Sequence, residues 1–91
     1  MKKAVRIYIT GIVQGVFFRA FAKESAKKNN VNGFIRNLND GRVEIFAEGN
    51  IDDVNKMVEE CKTGPKHSKI ENFEVKDDKF QGFKEFKVLH I

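Results

Sequence analysis

The chain has 91 residues, 41% of them hydrophobic and nine of them Phe, enough for one hydrophobic core and too few for two. Charged residues make up 33%, but with apolar residues at this level and in periodic order a disordered polyampholyte is excluded. Seventeen Lys and Arg against thirteen Asp and Glu leave +4, which suits an anionic partner without choosing between a phosphate ester, a nucleotide and a nucleic acid.

Val5, Ile7 and Ile9 alternate with Arg6, Tyr8 and Thr10, which predicts a strand with one buried face, ended by Gly11. Phe18, Phe21, Ala22, Ser25 and Ala26 then recur at helical spacing, and Lys27 and Lys28 close that helix at the negative end of its dipole. Residues 31–38 read as a second strand, followed by Asn39-Asp40-Gly41, which tolerates the positive φ of a tight hairpin. Val43, Ile45 and Ala47 form the inward face of a third strand, which leaves Glu44 and Glu48 to a solvated face.

Asn50 with Asp53 three residues later predicts an N-cap with a reciprocal acidic partner. The helix it opens carries Ile51, Val54, Met57, Val58 and Cys61 on one stripe, and Gly64-Pro65 stops it. Phe73 and Val75 mark a fourth strand. A charged connection through Asp77, Asp78, Lys79 and Lys84 leads to a short terminal strand at 86–90, whose sheet neighbour the pattern does not name.

Residues 5–11 and 43–49 share a V-x-I-aromatic-x-x-G pattern, and each copy leads into a helix. Strand-helix-strand twice over is the split βαβ plan: an α+β, ferredoxin-like fold with two helices on one face of an antiparallel sheet and a short extra C-terminal strand. Residues 1–91 are expected to form this single domain, with the second sheet face partly open.

Lys2-Lys3 resembles the start of a signal peptide, but Arg6 interrupts the apolar residues that follow, and no run approaches the roughly 18 needed to span a bilayer. No membrane association is expected. The lone thiol, Cys61, cannot form an intrachain disulfide and lies on an apolar helix stripe, which fits an inert buried thiol in a reducing, cytoplasmic setting. His67 and His90 are far apart and have no metal-ligand spacing, so both are expected at the surface and no metal is assigned. No apolar stripe is left over after both helices are packed, which favours a monomer.

The unusual segment is Gly11-Ile12-Val13-Gln14-Gly15-Val16-Phe17-Phe18-Arg19. It is glycine-punctuated but otherwise mostly apolar, so few side chains can satisfy its backbone N–H groups. Consecutive amides running into a helix N-terminus form an anion-binding concavity, with phosphate the natural occupant. Arg19 falls in the first helical turn, where the dipole disfavours a cation unless an anion is bound. The same residues also fit a plain strand-to-helix turn with a solvated Arg, and the physical pattern leaves both open. The segment has neither the Walker Lys-Ser/Thr pair nor the Rossmann glycine spacing.

Gly11-x-Val13-Gln14-Gly15-Val16-x-Phe18-Arg19, followed by Gly33-Phe34-Ile35-Arg36-Asn37-Leu38-Asn39-Asp40-Gly41-Arg42-Val43-Glu44, resembles the signature pair of the acylphosphatase family. The likeness continues through Gly64-Pro65 and Phe86-x-Val88. It departs at Phe34, where Trp or Tyr is frequent, and at Arg42, where some members carry Thr. The resemblance implies a cofactor-free, metal-independent hydrolase that converts a small acyl phosphate into a carboxylate and inorganic phosphate, the latter also a competitive inhibitor. By similarity, the amides of Gln14, Gly15, Val16, Phe17 and Phe18 cradle the phosphate with Arg19, and Asn37 orients the attacking water.

The split βαβ plan also hosts RNA-recognition modules, whose first and third strands carry base-stacking aromatics. Tyr8 and Phe46 are the residues that would serve. Against nucleic acid stand Glu44 and Glu48, which would flank that platform with negative charge, and the missing Lys/Arg-Gly-aromatic pattern on the third strand.

Overall fold

A computed structural model describes residues 1–13 and 16–89, with Val16 taken for its backbone only. In chain order the elements are β1 (Lys2–Ile12), α1 (Val16–Lys28), β2 (Asn32–Asn37), β3 (Val43–Asn50), α2 (Ile51–Thr63), β4 (Lys69–Asp77) and β5 (Phe86–Leu89). The sheet order is β4-β1-β3-β2-β5, antiparallel except for the parallel β2–β5 pair. The ferredoxin-like expectation is borne out, and the terminal strand's neighbour is β2.

The alternation in β1 and β3 works as the sequence implies. Val5, Ile7, Ile9, Val43, Ile45 and Ala47 are buried together with Ala22, Ala26, Val54, Met57 and Cys61 from the helices. Burial pushes the Cys61 thiol up to about 12, so it stays protonated and inert at neutral pH. Gly11 does not end β1. It lies at an irregularity in the β1–β4 register, with φ 138°, and a Cβ there would collide with the Lys69 carbonyl. Asn50 occupies the N-cap of α2, but its side chain makes no capping hydrogen bond; the Ile51 N–H donates instead to the Met1 carbonyl at 2.9 Å. Lys28, expected as a dipole cap, also pairs with Glu60 of α2 at 2.9 Å.

The second sheet face corrects the sequence reading most. Glu44 and Glu48 are not solvated; they are 3% and 1% exposed. Glu44 accepts from Arg6 Nη1 at 3.0 Å, from Tyr8 Oη at 3.2 Å and from Arg36 Nε. Glu48 accepts the backbone N–H groups of Gln81, at 2.6 Å, and Phe83. The segment after β4 is thereby drawn across the face, where the Phe83 ring packs 5.5 Å from Phe46 and 5.8 Å from Phe34. Phe46 is fully buried under this cover, so it is not available to stack a base. Tyr8 is half-buried and occupied by Glu44 and the overlying Arg42.

Burial pushes the Glu44 carboxyl up, but the hydrogen bonds and charges of Arg36 and Arg6 outweigh it and hold the group below its ordinary value. A depressed folded-state value means this stabilisation is complete above the unfolded value, near 4.5, and is lost as the pH falls through the folded one. Glu44→Gln should therefore lower stability at pH 7 by about 2 kcal/mol, discounted from a fully buried pair because both arginines reach solvent. It should also flatten the loss of stability below about pH 4.5. Urea denaturation of both proteins at neutral and acid pH checks both effects.

Candidate active site

The register fixes where the two site motifs meet. Val43 faces Ile9 of β1 on one side and Asn37 of β2 on the other. Residues directly opposite one another share a face, so Ile9, Val43 and Asn37 form one row on the helix-bearing side, with Asn37 two strand spacings, about 10 Å, from Ile9. β1 and β2 both run antiparallel to β3, so their C-terminal ends share one sheet edge, where α1 begins. The Leu38 N–H donates to the Arg42 carbonyl at 2.7 Å, and Asp40 Oδ1 accepts from the Arg42 N–H at 3.1 Å, fixing the turn behind Asn37.

Asn37 carries the most informative atom in the site. Its Oδ1 is buried and has no hydrogen-bond partner among the described residues. Leaving such an acceptor unpaired costs about 1–3 kcal/mol, and an orphan of this kind calls for a donor beyond the described residues. A water molecule or a hydroxyl satisfies that demand.

At the opening of α1, the N–H groups of Val16, Phe17 and Phe18 have no preceding intrahelical carbonyl to bond, and the first turn contains no acidic residue. Arg19 lies in this turn, half-buried. Phe18 anchors it: 2% exposed, packed on Phe21 at 6.3 Å between ring centroids. Phe17, next to it in the chain, is 84% exposed. The expected contributions of Gln14 and Gly15, and of the Val16 side chain, lie outside the described residues.

Residues 5–88 match the Acylphosphatase family profile. The chain belongs to the acylphosphatase family. The acylphosphatase of Syntrophus aciditrophicus is 42% identical over 91 aligned positions, covering 99% of this chain and 95% of that protein. That of Pyrobaculum aerophilum is 45% identical over 85 positions, 91% of this chain and 90% of the relative. Among solved structures, the acylphosphatase from Bacillus subtilis superimposes with a TM-score of 0.91 at 36% identity, covering 99% of this chain and all of the other.

In this acylphosphatase the two departures from the family pattern both have local partners. Phe34 stacks on Phe46 at 5.9 Å, and the Arg42 guanidinium lies 4.9 Å from the Tyr8 ring while pairing with Asp40 at 2.8 Å. Neither side chain acts on Asn37 directly in these contacts. Sequence reasoning did not place the 65–68 segment at this edge. The strand β4 runs antiparallel to β1, with Lys69 opposite Ile12, so Pro65–Ser68 stand beside the α1 opening. Gly64-Pro65 was a legible helix stop, but its second role depends on a pairing between distant segments.

Proposed function

We propose that this acylphosphatase holds the phosphate of its substrate at the α1 opening with backbone amides from Gln14 through Phe18 and the Arg19 guanidinium, while Asn37 directs a water molecule at phosphorus. The observation that carries the reading is the buried Asn37 Oδ1, without a partner among the described residues, at the sheet edge from which α1 starts. It accepts one hydrogen bond from water and so fixes the line of approach without removing the proton.

The water oxygen bonds to phosphorus as the bond from phosphorus to the acyl oxygen breaks, and the electron pair leaves with the carboxylate. Both water hydrogens end on the phosphate, so an acyl phosphate dianion gives a carboxylate and dihydrogen phosphate. The conjugate acid of such a leaving group has a pKa of about 4.3, so it departs unprotonated at neutral pH and no general acid is needed. Phosphoryl transfer runs through a loose transition state with charge spread over the equatorial oxygens, which rewards fixed donors. Amide dipoles and one planar guanidinium supply them, and the guanidinium can hold two oxygens at once.

No metal or organic cofactor takes part in this scheme. Inorganic phosphate, the product, occupies the same donors and competes with substrate. The 1–91 unit acts as a single domain and a monomer, and the buried thiol supports a reducing, cytoplasmic setting. No helix among the described residues is long and apolar enough to cross a membrane.

Hydrolysis of benzoyl phosphate in excess chelator tests the reading. Turnover should persist unchanged. Loss of turnover on chelation, with recovery on adding a divalent metal, would contradict it.

A further inference from the structure

Beyond the last β2–β3 pair, Asn37 with Val43, the chain turns through residues 38–42. Asn39, Asp40 and Gly41 are exposed, Leu38 and Arg42 half-buried, so no buried apolar residue holds this turn down. Arg42 supplies an attachment instead. Its N–H and Nε both donate to the Asp40 carboxylate, at 3.1 Å and 2.8 Å, and its carbonyl accepts the Leu38 N–H at 2.7 Å. The guanidinium then reaches off the turn to β1, where it lies 4.9 Å from the centre of the Tyr8 ring, with Lys76 of β4 at 5.9 Å from the same ring. The ring is itself held, because the Tyr8 hydroxyl donates to the buried Glu44 at 3.2 Å. The Arg42 N–H and then its guanidinium hold Asp40 below its ordinary value, so the carboxylate stays charged at neutral pH.

Asn37 needs such a restraint. Its buried Oδ1 has no partner among the described residues, so opening the turn toward water would relieve a local penalty. An acceptor displaced by about 1 Å misdirects the water it holds, and a misplacement of that size can lower a rate by about 10²-fold. Tyr8 stands opposite Glu44, on the sheet face away from the row formed by Ile9, Val43 and Asn37. Arg42 therefore reaches Asn37 only through the backbone of the turn.

We infer that Arg42, clamped between Asp40 and the Tyr8 ring, is a positioning residue that holds Asn37 in the orientation the attacking water requires. The inference rests on the water-directing role assigned to Asn37 above. Both contacts of the clamp are partly solvated, with the Arg42 side chain 41% and the Asp40 side chain 55% exposed, so the effect is moderate and smaller than that of losing Asn37 itself.

The test is a double-mutant cycle between Arg42→Ala and Asn37→Ala, read as kcat for benzoyl phosphate and as the inhibition constant of inorganic phosphate. Arg42→Ala alone should lower kcat about fivefold and leave phosphate inhibition within about twofold. In the Asn37→Ala background it should lower kcat no further, because the side chain it positions is gone. A fivefold fall in both backgrounds, or no fall in the otherwise wild-type chain, overturns the clamp and leaves the Asn37 assignment standing. Asn37→Ala with kcat intact overturns that assignment and the clamp with it. Tyr8→Leu removes the ring under the guanidinium and should lower kcat as Arg42→Ala does, and restoring the ring alone in Tyr8→Phe should recover most of the loss. An equal loss in Tyr8→Phe would assign the effect to the Glu44 hydrogen bond and overturn the ring's part in the clamp.

Discussion

Arg19→Gln should reduce kcat/KM for an acyl phosphate by at least about 10³-fold, a loss of about 4 kcal/mol of transition-state stabilisation. Glutamine keeps length and some hydrogen bonding but removes the charge and the two-pronged donor geometry that a phosphoryl group requires. The loss should extend to the ground state: competitive inhibition by inorganic phosphate should weaken strongly, because product and transition state use the same donors. Arg19→Lys should recover little, since an ammonium is a point charge that cannot span two oxygens. Steady-state kinetics with phosphate as inhibitor checks all three outcomes. Inhibition of wild-type strength in Arg19→Gln would remove Arg19 from the phosphate site.

Asn37→Ala should produce a different pattern, a fall in kcat of about 10²–10³-fold with the phosphate inhibition constant changed by no more than about twofold. The group at issue is the buried Oδ1, which bonds nothing else among the described residues, so its removal deprives the attacking water of an anchor and leaves the phosphate donors intact. Removing an unsatisfied buried acceptor also relieves a desolvation penalty, so Asn37→Ala should be no less stable to urea than the wild type. A stability gain beside a loss of turnover is what a site residue held at a structural cost produces. A rise confined to KM, with kcat intact, would show that Asn37 binds substrate and does not direct water.

Much of the fold was legible because the strongest signals were local. The alternation of Val5, Ile7 and Ile9, the helical stripe from Phe18 to Ala26 and the Asn39-Asp40-Gly41 turn each specify a conformation within a few residues, and each is found in the structure. What failed to read depended on distant partners. Glu44 and Glu48 alternate with apolar residues as solvated side chains do, and their burial follows only from Arg6 and Arg36 on neighbouring strands and from the backbone of Gln81 and Phe83. The same cover hides Phe46, which pattern alone would expose. The neighbour of β5 was illegible for a related reason: parallel pairing joins Phe86 to Gly33 across more than half the chain, with no turn to fix the register.

The site divided along the same line. Arg19 and Asn37 were identified through long motifs, and the sheet register then brings the end of β2 and the start of α1 to one edge. The place of Pro65 beside Ile12 and Phe17 was not legible because it follows only from the β1–β4 pairing.

The central claim is that a tetrahedral oxyanion is held by main-chain donors at the α1 opening together with Arg19. An amide NMR titration with inorganic phosphate tests it most directly. The largest shifts should fall on the backbone amides of residues 14–18 and on the Arg19 side-chain N–H, should saturate together, and should vanish in Arg19→Gln. Saturating shifts centred instead on the lysines of another surface, such as Lys23, Lys27 and Lys84, with residues 14–19 unmoved, would contradict the account.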